Sequence, residues 1–110
     1  MRPSALVVDY KYCDGCNSCV VACRMEKGMT IEEWGVRLNE VGPEKIDGKW
    51  MWNFVPYLSR RCDLCVDRVD AGEQPSCVKH CLSSCMYLVP LEELGAKLAD
   101  LGSEVEAIIP

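Results

Sequence analysis

The sequence predicts an α+β fold in one domain spanning residues 1–110, with an internal pseudo-two-fold symmetry. Three observations carry that expectation. The chain has 110 residues, the size of a single domain. Its nine cysteines gather in two blocks, residues 13–23 and 62–85. A weak internal repeat runs through both blocks: strand, cysteine loop, short helix, then extended chain. Only one Phe, three Trp and four Tyr serve as large packing pieces. A chain this short buries a modest core and needs a staple, which the cysteines provide.

The elements follow in order. "SALVVDY" (4–10) is β-branched and reads as a short strand entering the first cysteine loop. "NSCVVACRMEKG" (17–28) reads as a short helix, capped by Asn17 or Ser18 and stopped by Gly28. "EWGVRLNEV" (33–41) and "KWMWNFVPY" (49–57) read as extended, joined by the turn-rich "GPEKIDG". That predicts a hairpin insert over 33–57, with a loop longer than the tightest types. In the second block, "VDRVDAGEQPS" reads as a loop, "SCVKHC" as a short helix and "CMYLVP" (85–90) as a strand. Leucines at 91, 94, 98 and 101 have helical spacing, with Gly102 as a stop, and "SEVEAIIP" reads as extended or irregular. The cluster core is thus expected over 5–90 and a helical tail over 91–110.

Charge and flanking sequence exclude several function classes. The net charge is −5, from 17 acids and 12 bases. With no basic patch carrying interleaved aromatics, nucleic-acid binding is not expected. An acidic surface fits docking on a more basic partner face. The apolar run "ALVV" ends at Asp9, too short for a signal h-region or a membrane span. The expectation is a cytoplasmic chain, or one exported only together with a signal-bearing partner. One His leaves little acid–base machinery, and no nucleophile–base pair or phosphate loop is present, so the chain is read as non-catalytic.

The cysteine spacing carries the chemistry. Disulfides would suit a secreted chain, but nine is odd and the cysteines crowd at two-residue intervals. Metal ligation is the better reading. Cys13, Cys16 and Cys19 are spaced so that one tight loop turns three sulfurs onto one centre. Cys23 lies four residues on, where a helical turn carries its sulfur elsewhere. In two-cluster ferredoxins the run C-x2-C-x2-C-x3-C gives its fourth cysteine to the other cluster. The complement is Cys62, Cys65 and Cys77, with Cys81 as the donor across. The expected ligand sets are Cys13, Cys16, Cys19 and Cys81 for cluster 1, and Cys62, Cys65, Cys77 and Cys23 for cluster 2. With Cys at every position, two [4Fe–4S] clusters are expected in a bacterial dicluster ferredoxin-like fold. Structural zinc is the alternative, but Cys₄ zinc has no need of the extra x2 and x3 spacings. Cys85, the ninth, reads as a buried thiol acting as a small hydrophobe, with a spare ligand as the other reading.

At these residues the chain resembles the iron–sulfur electron-transfer subunits of molybdopterin oxidoreductases, of the dimethyl-sulfoxide, polysulfide and nitrite reductase type. Such subunits carry four cysteine motifs in order, the first and last pairing with each other. "CDGCNSCVVACRMEKG" is similar to the first motif. "CDLCVDRVDAGEQPSCVKHC" is similar to the fourth, including "DR", the Gly and the Pro before the third cysteine. "GKWMWNFVP" is similar to the connection after motif one, and the resemblance covers about residues 5–90. Two departures stand out: the middle motifs are absent, and Leu82 stands where the family commonly has Pro. The resemblance implies a shortened, two-cluster subunit relaying single electrons to or from a catalytic subunit. That subunit would carry a molybdenum or tungsten bis-pterin cofactor, and a further electron donor or membrane-anchor subunit could join the complex. A free dicluster ferredoxin is the alternative.

The remaining residues have modest readings. His80 is a helix residue that can tune a cluster by hydrogen bonding. Trp50 and Trp52 share a strand face and, with Trp34, are expected to cover a cluster or fill a partner interface. Asp67 and Arg68 are expected to form a local salt bridge holding the long loop. Lys11 and Lys79 are solvated, or offset cluster charge.

Overall fold

A computed structural model describes residues 2–110. The fold is α+β, with two antiparallel sheets and short helices. The first sheet has three strands in the order β4 (Met86–Pro90), β1 (Ser4–Asp9), β5 (Val105–Ile108), all antiparallel. The register sets Leu6 opposite Leu88 on one side and Ile108 on the other. As the central strand, β1 is buried along its whole length. A strand covered on both faces reads as a continuous apolar run rather than an alternating one, which is how "ALVV" reads. Leu6 and Val8 face a core shared with Val36, Leu58, Leu64 and Met86 and with Cys19, Cys23 and Cys85.

α1 (Ser18–Lys27) follows the first cysteine loop. Asn17 precedes it in a left-handed conformation, and its side chain makes no capping bond. Gly28 ends the helix at φ 63°, its amide bonding the Arg24 carbonyl. α2 (Val66–Asp70) and α3 (Ser76–His80) carry the second block, and α3 lies against α1. Residues 66–76 are therefore not all loop as expected. Cys65 enters α2 at φ 53°, and Arg68 ties the remainder to it. The Arg68 guanidinium pairs with Glu73 at 2.9 Å and with Glu26 of α1 at 3.5 Å, and its Nε donates to the Gln74 carbonyl at 2.9 Å. Arg68 does hold the loop, but through these partners rather than the Asp67 expected.

The second sheet is the hairpin of β2 (Val36–Ile46) and β3 (Lys49–Leu58). Its loop is shorter than expected. The strands continue to Ile46 and Lys49, and only Asp47 and Gly48 turn, at φ 49° and 80°. Positive φ at both central residues marks a primed turn, which matches the strand twist and favours Asp-Gly. A register shift between Val41 and Glu44 absorbs the Gly-Pro pair. At Gly42, φ is +97° and a side chain would strike the Met51 carbonyl.

The tail ends in the extended one of its two expected forms. After a 3₁₀ turn at Leu91–Glu93, α4 (Leu94–Leu101) stops at Gly102. The closing segment forms β5, and the feature not foreseen is its pairing with the free edge of β1. Lys11 fixes this return. It pairs with Asp9 at 2.7 Å and donates to the Leu101 carbonyl at 3.2 Å and to the Ser103 carbonyl. A cation at the end of α4 also complements the helix dipole. The core sheet is thus three-stranded.

Candidate metal centre

Two small cavities lie beside β1, and every cysteine of the chain lines one or the other. The first is lined by Cys13, Cys16, Cys19, Cys81 and Cys85. The second is lined by Cys23, Cys62, Cys65 and Cys77. Each cavity thus draws cysteines from both sequence blocks. The crossing residues are Cys23, on α1, and Cys81, which ends α3 and brings Cys85 with it. All nine cysteines are unbridged, so no disulfide is formed.

The two loops are shaped alike, and the sequence says why. Each opens with Cys-Asp-x-Cys. Asp14 accepts the Cys16 amide at 3.2 Å, and Asp63 accepts the Cys65 amide at 2.9 Å. This Asx-turn bends the chain within two residues and frees the following amide. The freed amides point at sulfur: Leu64 donates to Cys62 Sγ at 3.4 Å, and the Gly15 amide serves Cys13. Positive φ at Gly15, Asn17, Leu64 and Cys65 completes the winding. The sequence alone did not disclose the roles of Asp14 and Asp63, although their repetition after the first cysteine of each block was a visible signal.

The second cavity has a further constraint. A methyl group on Gly35 would sit 2.5 Å from Cys23 Sγ, so the sulfur rests against bare backbone. The amides of Gly35 and Val36 bond that sulfur. Lys27 of α1 reaches Asp63 at 2.8 Å and clamps the helix bearing Cys23 onto the second loop. Phe54 of β3 packs where a Gly15 side chain would stand, which braces the first loop.

The donor set is built for a positively charged centre. Burial pushes the thiols of Cys13, Cys23, Cys62, Cys77 and Cys85 upward and that of Cys19 to about 12. Neighbouring sulfurs add to the shift, and the backbone amides partly oppose it. No charged side chain lines either cavity apart from Asp14, so four thiolates together need a cationic guest. Among the described residues no three His, Cys, Asp or Glu side chains close on a point suited to one metal ion. Cysteines from two blocks lining one cavity, with backbone amides aimed at their sulfurs, are a donor set that an iron–sulfur cluster fits.

Other candidates lie elsewhere. His80 is exposed, its Nδ1 bonded to the Ser76 carbonyl at 2.9 Å, and it lines neither cavity. Trp50 and Trp52 are 70% and 56% exposed on the hairpin and cover neither cavity, contrary to one expectation. Trp52 donates to Glu40 at 2.8 Å, and Trp34 carries Arg37 over its ring. Lys11 is engaged with Asp9 and the tail, away from both cavities.

No protein-family model matches the chain. Over 84 residues it is 33% identical to the B subunit of anaerobic dimethyl sulfoxide reductase from Escherichia coli (strain K12), a match covering 73% of this chain and 38% of that protein. The corresponding B subunit of Shigella flexneri matches with the same identity and coverage. The chain spans about two fifths of the length of these curated relatives. Among the described residues no helix is long and apolar enough to cross a membrane.

Proposed function

We propose that this chain is an electron-transfer subunit that holds two [4Fe–4S] clusters and relays single electrons to or from a separate molybdopterin-type catalytic subunit. One observation carries the reading: two neighbouring cavities are each lined by three cysteines of one block and completed by the other. Cys13, Cys16, Cys19 and Cys81 would hold one cluster, and Cys62, Cys65, Cys77 and Cys23 the other. When bound, such clusters supply one-electron redox chemistry at potentials set by charge, hydrogen bonding and exposure. The chain's own residues supply the rest. Leu6, Val36, Leu58 and Leu64 exclude water from the second cavity, and Val8, Leu38 and Met86 from the first. The amides of Gly15, Leu64, Gly35 and Val36 favour thiolate at their cysteines and so tune each site.

The relatives' name, that of one lettered component of a dimethyl sulfoxide reductase, supports assembly with a catalytic chain. In this reading substrate chemistry belongs to that catalytic chain, and its metal is molybdenum or tungsten. The exposed Trp50 and Trp52, on a hairpin that exceeds what the cysteine core needs, support a partner face. The acidic balance, 17 acids to 12 bases, also permits a free ferredoxin with transient partners.

Metal analysis of the complex, purified anaerobically from its native source, separates these readings. Iron well above about eight per copy of this chain, with about one molybdenum or tungsten, is the expected result. An isolated chain with about eight irons and neither heavier metal would establish the free ferredoxin instead. A chain carrying only zinc would overturn both.

A further inference from the structure

We propose that Cys85 is a reserve ligand of the first site, placed to take the coordination position of Cys81. The inference rests on the two-cluster reading above. Five sulfurs line the first cavity and four line the second. The surplus sulfur is not at the rim. Cys85 is 2% exposed, and its Sγ lies 3.7 Å from that of Cys81. That is contact distance, so the two thiols address the same corner of the cavity.

The backbone holds this arrangement. Cys81 follows α3, and the Ser84 amide donates back to the Cys81 carbonyl at 3.2 Å. Ser84 itself sits at φ 51°, which reverses the chain. Cys85 is then anchored to the central strand, where the Asp9 amide donates to its carbonyl at 2.9 Å. The pair therefore stands on a fixed turn, and exchange needs side-chain rotation alone. A thiol serving only as a small hydrophobe has no need to line the cavity beside a ligand. The second cavity shows the alternative design: its walls beyond the four sulfurs are Leu6, Gly35, Val36, Leu58, Leu64 and Pro75.

The exchange balances simply. The iron–sulfur bond to Cys81 breaks, the bond to Cys85 forms, and the proton of the Cys85 thiol passes to the released Cys81 thiolate. No electron moves and the charge of the site is unchanged.

The test loads the full chain anaerobically with iron and sulfide and reads iron per chain and the electron paramagnetic resonance spectrum. Cys81→Ala is expected to keep about eight irons, with the spectrum of one cluster altered. Cys81→Ala combined with Cys85→Ala is expected to lose iron from that cluster, as is Cys23→Ala from the cluster without a spare thiol. Equal iron loss in Cys81→Ala and in the double variant would overturn the proposal. If Cys81→Ala fails to accumulate as folded protein, Cys85→Ser decides. It is expected to load fully, then to lose the first cluster to a chelator several-fold faster than wild type, with the second unaffected. Loss of the first cluster at the wild-type rate would refute the reserve role. A wild-type chain that takes up no cluster overturns the two-cluster reading and this inference with it.

Discussion

A methyl group at residue 35 would stand 2.5 Å from Cys23 Sγ, closer than carbon and sulfur can approach. The sulfur lines the second cavity, and α1, which carries it, is tied to the second loop by the Lys27–Asp63 pair. Gly35→Ala is therefore expected to displace Cys23, the crossing ligand of the proposed second cluster. Iron should fall from about eight toward about four per chain, with the surviving spectrum that of the first cluster. Cys23→Ser tests the crossing from the other side. Although Cys23 belongs to the first sequence block, its loss should damage the cluster of Cys62, Cys65 and Cys77. A spectrum in which only the Cys13 cluster is lost would show that the chain does not cross. At this scale the sequence was most legible, since the x2 and x3 spacings dictate which sulfurs share a loop. Gly35 was not legible, because its constraint comes from a sulfur twelve residues earlier that only folding brings near.

Among the elements, β5 carries the least expected chemistry. Glu106 pairs in register with Val8 on the central strand, and among the described residues its Oε1 is buried without a hydrogen-bond partner. Burial raises its pKa from the ordinary 4.5 to about 7. Below 4.5 both folded and unfolded chains hold the proton, and nothing is lost. Between 4.5 and about 7 the folded chain keeps a proton that the unfolded chain has released, so stability falls as pH rises. Above about 7 the penalty is complete. Glu106→Gln should accordingly stabilise the chain at pH 8 by about 1 kcal/mol, allowing for the solvent screening of a half-buried group. The gain should shrink toward pH 5.5, and thermal melts across that range would show it. A constant gain would mean that packing, not ionisation, is responsible. The pairing of β5 was hidden in the sequence because "EVEAII" is short, carries two acids, and pairs with a strand almost a hundred residues away. The hairpin was visible but its turn was misplaced. Residues 39–46 are exposed on both faces, so no core imposes alternation there, and Asp47-Gly48 was the better signal. By contrast α1, β1 and β4 were readable, since each must present apolar side chains to one core.

For the molecule as a whole, the cysteines stand where a core of this size would otherwise have large side chains. The fully buried large residues are Leu6, Val7, Val8, Val36 and Pro75. Three cysteines, Cys19, Cys23 and Cys85, belong to the same core. The two blocks meet through α1 and α3 and through the two cavities that each draws on both. With iron bound as proposed, each of the two cysteine-lined cavities would be a cross-link between halves. Without it, that link between the halves would be lost, and with it the binding energy that belongs to the fold in this reading. The radius of gyration is 14.2 Å, against about 13 Å for a compact chain of this length. Removing iron with a strong chelator under anaerobic reducing conditions should unfold the chain rather than merely bleach it. Small-angle scattering should then move from near 14.2 Å toward about 30 Å, with loss of the far-ultraviolet dichroism of both sheets and helices. Retention of the compact radius after complete iron loss would mean that the apolar contacts of β1 suffice. The clusters would then be guests of a finished fold, not part of what forms it.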